Sequence, residues 1–343
     1  MINEINIKKI HRKILIIKPS SLGDVIHSLP FLNLIKADFN FAKIHWIIAA
    51  GLESLLENHP MIDKLWIINK DNWKDIRKLK DSILEIKRLC SELKNESYDL
   101  VIDLQGLFRS GFFAKASDAP IRIGFAEARE RSSMFYTNKV EGGKEIHAVD
   151  RYLKIASALG VSIDDVKFPM PLIVEPEWIK EIRAKFEEYA VIIPGARWET
   201  KKWDTQRFAE LAVNLNGRFL VLGSGQDKEI SDYIERHSKG KALSLAGKTN
   251  LKELIILIRK AKFVISNDSG PMHIAAACGI PVIAIFGPTN PARTGPYGYN
   301  HMIVKSALPC APCYKRSCKS VKCLKDITVE MVCDAVTLIE KNY

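Results

Sequence analysis

The stretch Phe263–Gly298, FVISNDSGPMHIAAACGIPVIAIFGPTNPARTGPYG, constrains the fold more than any other part of this chain. An apolar run, Phe263 to Ser266, breaks into Asn267-Asp268-Ser269-Gly270-Pro271. A helix of small residues follows from Met272 to Cys278, and a second apolar run, Val282 to Phe286, ends in Gly287-Pro288-Thr289-Asn290. Apolar runs this short, separated by a helix, read as parallel strands covered on both faces. Asp268 or Ser269 suits the cap of that helix and Pro271 its first turn. Unpaired amides at such a helix start, beside the carboxyl edge of a sheet, make a site for a diphosphate. A capped helix with no ligand is the plainer reading of this one unit.

The same alternation recurs along the chain. Lys13–Lys18, Ile44–Ala49, Lys64–Ile68 and Leu100–Leu104 read as buried strands, with helices at Val25–Lys36, Leu52–Glu57 and Asp71–Lys94. In the last of these, Ile76, Leu79, Ile83, Ile86, Leu89 and Leu93 recur at helical spacing. His147–Leu159 is a helix ended by Gly160, and the arginine-rich stretch Asp118–Gly143 is irregular. Pro169, Pro171 and Pro176 mark a linker. Strands at Ala190–Ile193, Phe219–Leu222, Phe263–Ser266 and Val282–Phe286 then form a second series, closed by a helix over Thr328–Glu340. With 343 residues, this predicts two α/β domains, 1–172 and 173–343, each a doubly wound Rossmann-like sheet, facing a cleft. Ligands of such sheets sit at the carboxyl ends of the strands. The loops to watch are therefore Pro19–Asp24, Gln105–Arg109, Pro194–Trp203, Gly223–Asp227 and Asn267–Pro271.

An excess of 51 basic over 40 acidic residues gives a net charge of +11, which suits an anionic partner such as a phosphorylated substrate, an acidic membrane surface or nucleic acid. No platform of aromatic and basic residues of the RNA-binding kind accompanies that charge, so nucleic acid is not expected. No apolar run approaches the roughly 20 residues of a spanning helix. Lys8, Lys9, Arg12 and Lys13 precede only Ile14–Ile17, so no secretion leader is read and a cytoplasmic location is expected.

Within the loops, Ser20-Ser21-Leu22-Gly23-Asp24 offers a carboxylate that can take a proton from an attacking hydroxyl, or simply a turn and a helix cap. Arg197, Lys201 and Lys202 in PGARWETKKW can neutralise a leaving diphosphate, or form a solvated basic loop over Trp203. Gly223-Ser224-Gly225-Gln226-Asp227 can lie against a nucleotide, with Asp227 or Glu229 near ribose hydroxyls. Arg109, Arg122, Arg129, Arg131 and Arg151 suit an acceptor bearing carboxylates and phosphates, or are surface charge. His273, one turn after Ser269, can reach phosphate or sugar, or be structural. Cys310, Cys313, Cys318 and Cys323 can hold a structural zinc or an iron–sulfur cluster, or be free thiols or a local disulfide.

In order along the chain, ILIIKPSSLGDVIHSLP, VIDLQGLFRSG, HAVDRYL, PGARWETKKW and the Asn267–Gly298 segment together resemble the ADP-heptose:lipopolysaccharide heptosyltransferases, glycosyltransferase family 9. The resemblance spans nearly the whole chain. It implies a GT-B fold whose final helix crosses back to the first domain. It also implies an inverting, metal-independent transfer from ADP-heptose, with no cofactor, to Kdo–lipid A (type I) or to a heptosylated core (type II). By motif it makes Asp24 the base and Lys201 the phosphate-binding lysine. Arg197, Asp227, Asp268, Ser269, Gly270 and His273 become donor contacts, and Ser21, Gly23, Arg109, Arg129 and Arg151 acceptor contacts. The chain departs from relatives where Ala196 and Arg197 replace threonines. HAVDRYL favours type I, while the cysteine cluster resembles type II. The implied setting is a monomer, peripheral on the inner face of the inner membrane. Another nucleotide-sugar donor, or a non-catalytic nucleotide- or nucleic-acid-binding protein, are the alternatives.

Overall fold

The computed structural model describes residues 12–74, 77 and 79–341, and the chain divides into two compact units between Leu172 and Ile173. Lys8, Lys9 and Ile76 lie outside the described residues. The first unit holds strands β1 (Lys13–Ile17), β2 (Lys43–Ala49), β3 (Lys64–Ile68), β4 (Leu100–Asp103), β5 (Ile121–Phe125) and β6 (Asn138–Val140). They form one parallel sheet in the order β3-β2-β1-β4-β5-β6. The second unit repeats the plan with β7 (Ala190–Ile193), β8 (Phe219–Val221), β9 (Ala242–Ser244), β10 (Val264–Asn267), β11 (Val282–Phe286) and β12 (His301–Lys305), ordered β12-β11-β10-β7-β8-β9. Each is a doubly wound sheet as expected.

The central strands read as continuous apolar runs because both of their faces are covered. On one face of the first sheet, Leu15, Ile17, Ile47 and Val101 pack with Leu89, Leu93 and Phe113 of the flanking helices. In the second, Ile192, Phe219, Val221, Ile265 and Ile283 pack with Phe208 and Leu211. Each such side chain, fully buried, contributes about 1.5–3 kcal/mol.

Two expectations change. The helix predicted over Val25–Lys36 is two, Leu22–His27 and Leu29–Asp38, because Pro30 brings no N–H to continue the first ladder and Ser28 ends one helix and starts the next. The helix predicted from Asp71 begins at Leu79, and a 3₁₀ turn at Asn72–Lys74 precedes it. In the final helix, Val329–Lys341, Val329, Val332, Ala335, Val336 and Ile339 are buried in the core of the second unit.

Candidate active site

In each sheet the strand order reverses direction beside its first strand, so the loops leaving two neighbouring strands diverge and open a crevice. In the first unit these are the loops after β1 and β4, and in the second the loops after β7 and β10. Ser21, Gly23 and Asp24 lie at the first of these points, and Arg197, Lys201, Asp268, Ser269 and Gly270 at the second.

After β1, Ser21 starts the helix Leu22–His27, with buried Gly23 and then Asp24 in its first turn. Asp24 Oδ2 accepts from Ser21 N at 2.9 Å and from Ser21 Oγ at 2.6 Å. Its Oδ1 faces the Nζ of Lys18 at 3.8 Å, and the carboxylate is 40% exposed against 4% for the lysine side chain. Lys18 also donates to the carbonyl of Leu104, at the end of β4, at 3.2 Å, and lies 5.0 Å from the Tyr152 ring centre. Burial works to lower the ammonium's pKa, but Tyr152, Asp24 and Asp103 outweigh it and hold the group above an ordinary lysine. Across the reversal point, Asp103 is fully buried. It accepts from Gln105 N at 2.8 Å, Gly106 N at 3.0 Å and Tyr136 Oη at 2.6 Å, which fixes the turn that precedes Arg109. Burial raises its carboxyl pKa against the pull of those donors.

The arginines do not converge on one point. Arg109 stacks on Trp73, with its guanidinium carbon 4.8 Å from the ring centre. Arg129 is exposed beside the Gly106 turn, which its own N–H joins at 2.9 Å. Arg151 is engaged by Glu127 at 3.3 Å and lies over Phe125 at 3.9 Å, while its buried Nε has no hydrogen-bond partner.

In the second unit, Asn267 pins both ends of the lysine loop to β10. Its Nδ2 donates to Pro194 O at 2.7 Å and its Oδ1 accepts from Trp203 N at 3.1 Å. Between those clamps Lys201 ends a 3₁₀ turn, Glu199–Lys201, and its Nζ meets Asp268 Oδ2 at 2.6 Å. Thr289 Oγ1 donates to the same oxygen at 2.5 Å, and the ammonium lies 4.7 Å from the Trp198 ring centre. The pair is screened from water, at 16% and 5% exposure. Asp268 is thus occupied with orienting Lys201. Ser269 is the N-cap of the helix Gly270–Ala277, but its side chain makes no capping bond; its Oγ contacts Ser266 Oγ at 3.1 Å. The side chain thus leaves the first-turn amides uncapped. His273 is buried on that helix.

Arg197 is exposed on the lysine loop. Asp227 Oδ2 accepts from Ser224 N at 2.9 Å and Ser224 Oγ at 2.7 Å, a capping role. The carboxylate lies so close over the neighbouring loop that a Cβ on Gly195 would stand 2.4 Å from its Oδ1, so only glycine leaves it room. The four clustered cysteines are free thiols: Cys310 and Cys318 are exposed, Cys313 is half-buried and Cys323 is buried. Among the described residues no group of three or more His, Cys, Asp or Glu side chains is arranged to hold a metal. Lys18, Asn267 and Thr289 were missed as site residues. A lysine closing the apolar run KILII was the one available signal for Lys18.

Comparison with known proteins identifies the family. The chain is 31% identical over 327 residues to the lipopolysaccharide heptosyltransferase 1 of Pseudomonas aeruginosa, covering 89% of this chain and 87% of that protein. It is also 31% identical over 343 residues to the lipooligosaccharide heptosyltransferase 2 of Campylobacter jejuni, covering 96% and 99%. The solved Escherichia coli heptosyltransferase WaaC with ADP superposes with a TM-score of 0.76 at 26% identity, over 95% of this chain and 99% of that one. The architecture is the GT-B fold of those enzymes. Residues 86–324 match glycosyltransferase family 9 (heptosyltransferase), and the chain belongs to that family.

Proposed function

We propose that this enzyme transfers heptose from ADP-heptose to the Kdo–lipid A inner core of lipopolysaccharide, with inversion at the anomeric carbon. The observation that carries the reading is a partly exposed carboxylate after β1 and a carboxylate-held lysine after β7, each at the strand-order reversal of its own sheet. Asp24 Oδ1 takes the proton of the acceptor hydroxyl as its oxygen bonds to the anomeric carbon from the face opposite the leaving group. The bond from that carbon to the diphosphate oxygen breaks, and its electron pair leaves with ADP. Lys201 and the first amides of the helix Gly270–Ala277 meet the charge that grows on that oxygen. One carboxylate suffices for a single displacement, and the lysine does the neutralising work in this reading without a metal. Similarity to type 1 relatives and to WaaC with ADP supports the donor and acceptor assigned. The type 2 reading, addition of a second heptose, is favoured by the near-complete overlap with the Campylobacter protein.

The test is transfer from ADP-heptose with EDTA present. Product from Kdo–lipid A is expected. Product only from a monoheptosyl acceptor reassigns the enzyme to type 2. Loss of activity with EDTA overturns the metal-free reaction, and UDP-heptose outperforming ADP-heptose overturns the donor.

We also assign the enzyme to the cytoplasmic face of the inner membrane, as a peripheral protein. No helix among the described residues is long and apolar enough to cross a membrane. Phe108 and Phe112 stand exposed one helical turn apart, Met134 is exposed on the adjoining 3₁₀ turn, and the exposed cations Lys115 and Arg131 flank them. Such a mix suits anionic headgroups over an acyl layer. Sedimentation with phosphatidylglycerol vesicles is expected to exceed that with phosphatidylcholine, and to fall about tenfold in Phe112→Asp/Met134→Asp. Equal sedimentation of parent and variant removes this surface from the reading.

A further inference from the structure

The segment between β12 and the short helix Lys322–Lys325 lies against the lysine loop and takes no part in the transfer as proposed so far. From Ser306 to Val321 it carries Lys315, Arg316 and Lys319 and no acidic residue. Its backbone is fixed just ahead of Arg316. Cys313 N and Tyr314 N donate to Pro288 O, after β11, at 3.0 and 2.8 Å. The carbonyl of Lys315 accepts from Thr200 Oγ1 at 2.9 Å. Thr200 is buried, and it immediately precedes Lys201 in the 3₁₀ turn. The Arg316 guanidinium carbon then lies over the Trp198 ring, 4.9 Å from its centre. The Lys201 ammonium stands 4.7 Å from the same centre. One half-buried indole therefore gathers two cations from segments far apart in the chain.

The ring attracts both cations but neutralises neither. Lys201 is offset by Asp268 at 2.6 Å. Arg316 has no ion-pair partner among the described residues. A net positive charge is thus held in place at the carboxyl edge of the sheet, beside the turn that carries Lys201. A guanidinium resting on an aromatic face keeps its N–H groups in its own plane, where a fork of two can meet two phosphate oxygens. We infer that Arg316 is a catalytic residue of the transfer: its guanidinium, held on Trp198, binds the donor's diphosphate beside Lys201, an inference that rests on the assignment of Lys201 to that group. The two cations then differ in kind. Lys201 is fixed by a carboxylate that offsets part of its charge, whereas Arg316 brings a charge without that offset. As the bond to the anomeric carbon breaks, charge grows on the departing oxygen, so both serve leaving ADP more than bound donor. Trp198 sets where each of them stands.

The experiment measures ADP affinity, AMP affinity and kcat for the full-length parent, Arg316→Met, Arg316→Lys and Lys201→Met. The two nucleotides differ by the β-phosphate, so the ratio of their affinities isolates contact with that group. Damage to the fold lowers both alike and leaves the ratio where it was. The parent is expected to prefer ADP. Arg316→Met lowers ADP affinity by about tenfold and leaves AMP affinity within about twofold. Its kcat falls by about 10- to 100-fold, less than for a donor enclosed away from water. Arg316 is exposed, so the variant is expected to melt close to the parent. Arg316→Lys keeps the charge without the fork and recovers part of the loss. A parental ADP-to-AMP ratio in Arg316→Met overturns the inference, whatever kcat does. Lys201→Met separates the two levels. If it narrows the ratio and Arg316→Met does not, only the role of Arg316 falls. If neither narrows it, or if the parent does not prefer ADP, the diphosphate is not bound at the lysine loop and both readings fall.

Discussion

Asp24→Asn lowers kcat by about 10³-fold, within the range that removal of a positioned general base gives, and leaves ADP affinity within about twofold of the parent. Asparagine keeps the shape of the side chain, and its oxygen can still accept from Ser21 N and Ser21 Oγ, the two bonds that anchor Asp24 now. What it cannot do is take up a proton. The acceptor hydroxyl must then lose its proton to water as it attacks, and the rate falls. ADP binding is assigned to groups of the second unit, which the change does not touch, so the loss falls on the chemical step. Stability drops by about 1 kcal/mol, because an acid in the first turn of a helix is replaced by a neutral group and Lys18 loses the charge nearest to it. Single-turnover transfer and ADP titration check the two halves. A variant that retains more than about a tenth of the parental rate removes Asp24 from the role.

The fold was legible wherever strands are buried on both faces. KILII, LVID, VISN and VIAIF announce themselves as apolar runs because every residue in them but Lys13 is buried. The strands that were not read are mostly at or near sheet edges. Asn138–Val140 and Ala242–Ser244 have three residues each, and His301–Lys305 carries polar residues at both ends. The outermost of these pair on one side only, so little periodicity is imposed on them. The candidate site divides in the same way. Motifs that follow a strand in sequence, such as Ser21–Asp24 and Asp268–Gly270, could be found by looking along the chain. Their partners could not. Lys18 meets the carbonyl of Leu104 because β1 and β4 are neighbours, and Asn267 clamps Pro194 and Trp203 because β10 lies beside β7. These pairings arise where strand order departs from chain order, and linear spacing carries no trace of that departure. Arg151 was read as an acceptor contact from its charge and from the motif that holds it, and its pairing with Glu127 became visible only with the fold.

Lys201→Met has the second large effect, and it acts in two ways that a paired substitution separates. The lysine sits 2.6 Å from Asp268, a carboxylate only 5% exposed. Removing one member of a buried pair leaves the other without compensation, at a cost of about 3 kcal/mol. Lys201→Met is therefore expected to melt well below the parent. Transfer also suffers, by about 10²–10³ in kcat, because a fixed cation at the leaving diphosphate is lost. Lys201→Met/Asp268→Asn discriminates between these causes. Asparagine needs no counter-charge and still accepts from Thr289 Oγ1, so stability returns to within about 1 kcal/mol of the parent while transfer stays depressed. Asp268→Asn alone behaves differently again. It withdraws a negative charge from beside the expected diphosphate, so ADP binds the same or severalfold more tightly. The ammonium, no longer fixed by its carboxylate, is less well aimed, and kcat falls by about tenfold. Tighter binding with slower transfer is the signature of a lysine whose position, rather than its charge alone, serves the transition state. Melting temperature, ADP affinity and kcat on the three variants decide the matter. Restored transfer in the double variant would show that Lys201 acts on stability alone and that the leaving diphosphate is neutralised elsewhere.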